Sequence, residues 1–326
     1  MEDSIWRVEC HDHRDLNEVT ESGFKCSGDL FADLGEMASS LGAFVHPEFK
    51  KTTAQSDQEL PSFCSNSVKF DKFSFKILCS VLKNNPTQKV KFQNCELTEE
   101  HLEMLLEVTR ADTLTSLQLD WNPFLGSQKC PELCNDLSRL RFLSLRCCGI
   151  NDEALELICK NLKSSKSIKT LNLYGNNFSS LESIAEVLKE NRVLVSLNLS
   201  KNNLTDSHLE PLIGKFGKVA LDPSKVEECK KKLKDSAKSK PSKSKAQLEV
   251  DLPQDELVQE EETYYLICNK SFKNLVLDLN CITGGDNLEQ LVQQLLPESK
   301  VFVAMNQIEE PTKKTLANKY PSSLVL

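Results

Sequence analysis

The sequence lacks any long apolar run. None of its 326 residues lies in a stretch that approaches the ~18 consecutive apolar residues of a transmembrane helix, so we expect no membrane span. Glycine and proline are scarce, at 11 and 12 residues, which excludes collagen-like and linker-dominated chains. The segment Met1–Cys10 is acidic and has no apolar stretch, so we expect no secretory signal.

The chain also lacks the cysteine pattern of a secreted disulfide framework. Its 13 cysteines are an odd number and lie scattered along the whole sequence. We therefore expect free thiols in a cytoplasmic protein. The 40 basic and 48 acidic residues leave a net charge of −8, which argues against nucleic acid as the main ligand.

Motifs for catalysis are absent from the sequence. It contains no P-loop, no G-x-G-x-x-G and no G-x-S-x-G. The segment Cys10–His13 gathers cysteine, histidine and aspartate, but no second pair follows at zinc-site spacing, so we interpret it as an exposed polar tail. His101 and His208 have no evident nucleophile beside them. We predict a non-enzymatic protein without a metal, a cofactor or a small-molecule substrate.

The sequence is built on an internal repeat. Seven segments fit the template L-x-x-L-x-L-x-x-N-x-L: Thr87–Leu97, Leu114–Phe124, Leu140–Ile150, Ile168–Phe178, Leu194–Leu204, Phe272–Ile282 and Glu298–Ile308. The ninth template position holds asparagine or cysteine, at Cys95, Asn122, Cys148, Asn176, Asn202, Asn280 and Asn306. Successive members of this series lie 27, 26, 28, 26, 78 and 26 residues apart. We expect these side chains to satisfy buried backbone groups between adjacent turns.

Each repeat combines a strand with a helix. Template positions four and six, such as Leu171 and Leu173, alternate with a polar residue, which predicts a short strand with one buried face. Apolar residues then recur at helical spacing, as in residues 154–162 and 181–188. The pattern resembles the ribonuclease-inhibitor class of leucine-rich repeats. Stacking of such repeats predicts a curved α/β solenoid, with parallel strands on its concave face and helices on its convex face.

The repeats divide the chain into four parts. Residues 1–62 form an amino-terminal segment that we expect to be partly disordered. Residues 63–223 hold repeats and an amino-terminal cap that includes the helical pattern of Val68–Lys83. Residues 224–264 form a charged, low-complexity insertion, and residues 265–326 carry the carboxy-terminal repeats and cap.

The insertion is strongly bipolar. Lys225–Lys245 has nine lysines against three acids, and Glu249–Glu262 has seven acids and no base. We expect such charge runs to remain disordered or to fray as solvated helix. The lysine run could contact an acidic surface such as a tubulin tail, or it could be a solvated linker. Gly217–Leu221, just before it, is interpreted as a degenerate repeat strand.

The order of the parts is more specific than the repeat itself. A segment Cys26–Leu30 (CSGDL) is followed by central repeats, a Lys/Glu-rich insertion and a repeat that restarts at Asn269–Leu275 (NKSFKNL). This order resembles the leucine-rich-repeat-containing protein 71 family. The resemblance implies a non-enzymatic protein of ciliated or flagellated cells with axonemal or tubulin-associated partners, and it supplies no catalytic residues.

The expected binding surface is the concave face. Template positions three, five, seven and eight point there, and in the middle repeats they include Gln118, Trp121, Phe142, Arg146, Asn172 and Tyr174. We expect the three aromatic residues and Arg146 to be neighbours across three strands, since aromatic residues and arginine dominate protein interfaces. The alternative is that Trp121 and Phe142 pack on each other or on the amino-terminal segment.

These features predict a protein–protein interaction scaffold that binds neither nucleic acid nor a membrane. A second hypothesis is a regulator of an enzyme, because GTPase-activating proteins and nuclease inhibitors use the same class of repeat.

Overall fold

The computed structural model describes residues 6–7, 14–43, 62–123, 129–135, 138–224, 226–227, 256–260 and 262–326. The chain divides into two compact units, Met1–Phe178 (unit 1) and Ser179–Leu326 (unit 2). The segment Cys10–His13, most of the lysine run Lys225–Lys245 and the first part of the acidic run Glu249–Glu262 lie outside the described residues.

Unit 1 contains a parallel sheet of repeat strands. Its strands are β1 (Trp6–Arg7), β2 (Ser62–Asn66), β3 (Val68–Lys69), β4 (Lys89–Gln93), β5 (Ser116–Gln118), β6 (Phe142–Ser144) and β7 (Thr170–Asn172). Five of them lie side by side in the order β2-β4-β5-β6-β7, and β1 pairs with β3 separately. Successive central residues, such as Val90, Leu117 and Leu143, are Cα partners in the sheet and are buried. The predicted alternation of buried and polar strand positions is confirmed.

Helices follow the strands of unit 1. They are α1 (Asn17–Glu21), α2 (Leu30–Ser40), α3 (Lys72–Asn84), α4 (Glu99–Thr109) and α5 (Asp152–Ser164), with a 3-10 helix at Cys130–Cys134. The 3-10 helix stands where the repeat leads one to expect an α-helix, and it contains Pro131, which lacks a backbone N–H. Both α1 and α2 pack against α3, so the described part of the amino-terminal segment covers this helix.

Unit 2 carries two sheets. Its elements are α6 (Glu182–Glu190), β8 (Ser196–Asn198), a 3-10 helix (Asp206–Leu212), β9 (Gly217–Ala220), β10 (Glu256–Glu260), β11 (Thr263–Cys268), β12 (Asn274–Val276), α7 (Asp286–Gln293), β13 (Lys300–Phe302), α8 (Glu310–Lys319) and β14 (Leu324–Val325). Strands β8, β12, β13 and β14 lie parallel in that order. Strands β10, β11 and β9 form an antiparallel sheet.

The antiparallel sheet corrects two expectations about the insertion. Glu256–Glu260, expected to be solvated, forms strand β10 against β11. Strand β11 reads TYYLIC, and its β-branched and aromatic residues favour a strand despite the acids that precede it. Strand β9 pairs antiparallel with β11, so it is not a degenerate strand of the parallel repeat. Gly217 begins β9 at φ +78, and an added Cβ there would lie 2.0 Å from a backbone oxygen.

Candidate functional site

A buried asparagine joins successive turns of the chain in unit 1. Asn122 accepts hydrogen bonds at its Oδ1 from the backbone N–H of Cys95 at 3.0 Å and of Leu97 at 3.3 Å. Its Nδ2 donates to the carbonyl oxygens of Phe92 at 3.1 Å and Leu119 at 2.9 Å. One side chain therefore satisfies backbone groups of two repeats, which would otherwise be costly to bury.

The same bonding recurs along the series in both units. Asn176 accepts from Cys148 N at 3.0 Å and donates to Leu145 O at 2.9 Å, and Asn280 accepts from Asn202 N at 2.8 Å and donates to Leu277 O at 2.9 Å. Further bonds of this kind involve Asn202 and Asn306. Where the position is cysteine, the thiol donates to backbone carbonyls, from Cys95 to Gln93 at 3.3 Å and from Cys148 to Leu119 at 3.1 Å.

The residue before each of these positions adopts a left-handed backbone conformation. In unit 1 the φ angles are +53 at Asn94, +62 at Trp121, +52 at Cys147 and +68 at Gly175, and in unit 2 they are +56 at Lys201, +57 at Leu279 and +56 at Met305. Most of these residue types disfavour this region, at a cost of roughly 1–2 kcal/mol each. The template contains no glycine requirement here, so the repeat pattern predicted a turn after the strand but not its left-handed conformation.

We define the open face as the side of the unit 1 sheet that carries the half-buried and exposed strand residues, opposite the buried leucines and valines. It includes Gln118, Asn172 and Phe142, which are half-buried, and Trp121, which is 48% exposed. The sheet register makes Phe142 the partner of Ser116 and Thr170, at the first residue of each strand. Trp121 follows the other end of its strand, so the register does not make Phe142 a neighbour of Trp121, contrary to the expectation from the sequence.

Arg146 and Tyr174 do come together on the open face. The guanidinium carbon of Arg146 lies 4.6 Å from the centre of the Tyr174 ring, a cation–π distance. The backbone N–H of Arg146 donates to Oδ1 of Asp120 at 3.2 Å, and the hydroxyl of Ser144 donates to the same oxygen at 2.6 Å. These bonds hold the buried Asp120 and position the strand end that carries Arg146.

The open face also carries two lysines that sequence reasoning missed. Lys91 is the Cα partner of Cys64 on one side and Gln118 on the other, and Lys89 is the partner of Ser62 and Ser116. Both occupy template positions three and five of Thr87–Leu97, so the repeat pattern contained the signal. Three cations therefore share this face, Lys89, Lys91 and Arg146.

The two histidines noted in the sequence are helix-cap residues. The backbone N–H of Thr98 donates to Nδ1 of His101 at 3.1 Å, and Thr205 bonds His208 in the same way at 2.9 Å. Each histidine thus takes the place that glutamate or glutamine occupies in a capping box.

The described cysteines are free thiols, and most are buried. Burial raises the pKa of Cys148 to about 12, and it also raises the pKa of Cys130 and of Cys134. Buried, protonated thiols are poor nucleophiles and poor metal ligands. Within the described ranges, no group of three or more His, Cys, Asp or Glu side chains could hold a metal ion.

A cavity of about 400 Å³ lies among α1, α3 and α4 in unit 1. Its lining includes Lys72, Lys76, Glu100 and Glu107, and the lysines form ion pairs with Glu100 and Glu107. Paired surface charges of this kind do not resemble an activated catalytic group.

A family model for the leucine-rich repeat matches residues 138–159 and 190–212. The first segment contains β6 and the first part of α5, and the second contains β8 and the 3-10 helix Asp206–Leu212. These two segments of the chain therefore match leucine-rich repeats. The alternation of parallel strands and helices makes its fold an α/β leucine-rich-repeat solenoid.

Solved structures of other proteins share some similarity with this repeat protein. TLR13, in its complex with ssRNA13, is 13% identical over 79% of this chain, with a TM-score of 0.35. The match covers 35% of the TLR13 chain, so this chain spans about a third of it. A leucine-rich-repeat protein of Leptospira interrogans is 14% identical over 79% of this chain and 93% of its own, with a TM-score of 0.16. No helix among the described residues is both long and apolar enough to cross a membrane.

Proposed function

We propose that this leucine-rich-repeat protein is a non-enzymatic scaffold that binds a protein partner on the open face of unit 1. Trp121, Arg146 and Tyr174 are the central contacts in this proposal, with Gln118 and Asn172 beside them. Phe142 lies at the far end of the strands and would contact only a partner that extends along the whole strand.

The observation that carries the proposal is the setting of Trp121. Its large side chain is 48% exposed and its backbone has φ +62, a conformation that favours glycine. A large apolar side chain gains little stability where it is exposed, and tryptophan is disfavoured in this backbone conformation. The stability of the fold therefore does not explain why tryptophan occupies this position. Tryptophan, tyrosine and arginine are the residue types that contribute most to binding energy at interfaces.

The test is affinity purification with the full chain and two variants. Trp121→Gly removes the side chain and leaves a residue suited to the backbone. Leu157→Ala is the matched control, because Leu157 is 43% exposed but lies on helix α5. We expect a partner to be lost with Trp121→Gly and retained with Leu157→Ala. Equal recovery with both folded variants would contradict binding at the open face.

The finer part of the proposal places the scaffold in a cilium or flagellum, with axonemal or tubulin-associated partners. The order of segments from Cys26–Leu30 to Asn269–Leu275 supports it. Immunofluorescence of ciliated cells tests it directly: we expect staining along the axoneme, and staining spread evenly through the cytoplasm contradicts it.

The identity of the captured partner separates a scaffold from a regulator of an enzyme. If the partner is a GTPase or a nuclease, its activity is measured with and without the purified protein. Unchanged activity supports a scaffold. Faster GTP hydrolysis or inhibited nuclease activity assigns the regulatory role instead.

A further inference from the structure

Three positively charged residues lie on the open face of unit 1. Lys89 is exposed, whereas Lys91 and Arg146 are half-buried. Lys89 and Lys91 lie two residues apart on β4, about 7 Å along the strand. Arg146 follows β6, two strands away, so its Cα lies about 12 Å from that of Lys91 by strand spacing and rise. An extended segment of about four residues spans that distance.

These three cations lack partners of opposite charge in the described part of the chain. Several lysines of unit 1 that lie off this face are paired: Lys69 with Glu96 at 2.6 Å, Lys76 with Glu107 at 3.4 Å and Lys129 with Glu103 at 3.2 Å. No such pair joins Lys89, Lys91 or Arg146 to a described carboxylate, and Nε of Arg146 is buried without a hydrogen-bond partner. The open face therefore carries three cations that no described carboxylate pairs.

One acidic residue, Asp120, stands against these three cations at the described outward positions, so these positions keep a positive net charge. Asp120 is 6% exposed, and its Oδ1 already accepts from Ser144 and from the backbone of Arg146. The other described side chains at the outward strand positions are neutral. A protein with a net charge of −8 thus presents a local positive surface here.

We propose that the open face of unit 1 binds an extended acidic segment of a partner protein, whose carboxylates pair with Lys89, Lys91 and Arg146. This inference rests on the proposed scaffold function and names the chemistry of the partner. Gln118 and Asn172 lie between and beside the cations and offer amide groups to a peptide backbone. Trp121 and Tyr174 border the same surface and provide apolar contact area.

A nucleic acid would also contact cations, but the face suits it less well. Phosphate binding by nucleic-acid proteins depends on many neutralising contacts along a continuous backbone, and only three cations are present on the described open face. The row Gln118, Ser144 and Asn172 that separates them is neutral. An RNA probe is included in the test for this reason.

The experiment uses Trp121 as a local reporter in the full chain. The protein has 2 tryptophans, so a Trp6→Phe background assigns the emission to Trp121. The probes are octaglutamate, octaglutamine and octauridylate. We expect octaglutamate to change the Trp121 emission and its quenching by acrylamide at low ionic strength, and octaglutamine to have no effect. Binding should weaken strongly near 0.15 M salt, where the Debye length is about 8 Å.

Two charge variants locate the site. Lys89→Gln/Lys91→Gln should weaken octaglutamate binding about threefold to tenfold, the range expected for the loss of two ion pairs at the protein surface. Lys160→Gln/Lys166→Gln removes the same charge from exposed positions of unit 1 off the open face, and it should bind like the parent. An unchanged Trp121 emission, equal weakening in both variants, or octauridylate binding as tight as that of octaglutamate would each overturn the proposal.

The experiments distinguish failure of the acidic-segment proposal from failure of the scaffold proposal. If a captured partner depends on Trp121 but is retained by Lys89→Gln/Lys91→Gln, the scaffold function stands and the acidic segment is wrong. If capture depends on neither, the open face is not the binding surface.

Discussion

Asn85 donates a hydrogen bond from its Nδ2 to the buried carboxylate of Asp33 at 3.0 Å. The same carboxylate accepts from Ser27, through its backbone N–H at 2.8 Å and its hydroxyl at 2.7 Å, and from the N–H of Gly28 at 3.1 Å. Asp33 belongs to α2, and Asn85 directly follows α3. One carboxylate therefore connects the amino-terminal segment to the end of helix α3 in unit 1.

Asp33 should make stability depend on acid pH. Burial acts to raise the pKa of Asp33, but its hydrogen bonds outweigh burial and lower the pKa from 3.8 to about 2. A lowered pKa adds stability above pH 3.8 that disappears as the pH falls through 2. We expect Asp33→Asn to reduce the free energy of unfolding by about 1–2 kcal/mol at neutral pH, and by progressively less below pH 4.

Urea unfolding at pH 7 and pH 3 measures this difference. Glu36→Gln is the control, because Glu36 lies on the same helix and is exposed. A pH-dependent loss of equal size in both variants would contradict the role of Asp33.

The asparagine series should be essential to stability. Asn176→Ala removes four hydrogen bonds to the backbone and leaves those groups buried. We expect a loss of about 2–4 kcal/mol in chemical unfolding. Asn177→Ala, at the exposed neighbouring residue, should change stability by less than about 0.5 kcal/mol. Similar losses for both substitutions would show that the side-chain bridge is unimportant.

Gly175 and Cys147 should be energetically coupled. Gly175 has φ +68, and an added Cβ would lie 2.6 Å from Sγ of Cys147. Gly175→Ala should therefore cost about 2–3 kcal/mol, from backbone strain and overlap together. In a Cys147→Ala background the cost should fall to about 1 kcal/mol, since only the strain remains. Gly23→Ala, at φ +64 with nothing near the added Cβ, measures strain alone.

A double-mutant cycle on thermal or urea unfolding checks this coupling. Additive effects of Gly175→Ala and Cys147→Ala would refute the contact.

Backbone strain at Trp121 can be measured separately from binding. Because its φ is +62, Trp121→Gly should be more stable than Trp121→Ala by about 1 kcal/mol. Both variants should lose the partner to the same extent, since both lack the ring. Unfolding curves give the first comparison and a pull-down gives the second. Equal stability of the two variants would argue that this turn relaxes on substitution.

Half-buried cysteines should react faster with alkylating agents than buried cysteines. Cys26, Cys64, Cys147 and Cys281 are half-buried, whereas Cys148 is buried with a pKa raised to about 12. Alkylation requires the thiolate, so Cys148 should react about a hundredfold more slowly than Cys64 in the native protein. Timed iodoacetamide labelling followed by peptide mass spectrometry measures each site. Equal rates before unfolding would contradict the burial of Cys148.

Much of the candidate site was predictable because it follows from a regular repeat. The period-two alternation of apolar and polar residues predicted which strand side chains point away from the core. It correctly placed Gln118 and Asn172 on the open face. The error about Phe142 and Trp121 arose because residues on the same face were taken to be neighbours. Distance along the strand depends on register, which places Phe142 beside Thr170 and leaves Trp121 beyond the strand end.

The repeating unit of this protein can be read from its amino-acid order alone. The leucine positions and the buried asparagines specify a strand and a turn in each repeat, because their side chains can be satisfied only when successive turns stack. Features that depend on packing between distant residues became visible in the folded chain. It pairs Gly217–Ala220 with Thr263–Cys268 across the charged insertion, and it leaves Lys89, Lys91 and Arg146 together without carboxylate partners in the described chain. Charge runs and local propensity carry no information about which partner a strand or a cation will meet, so these features appear only when the chain is folded.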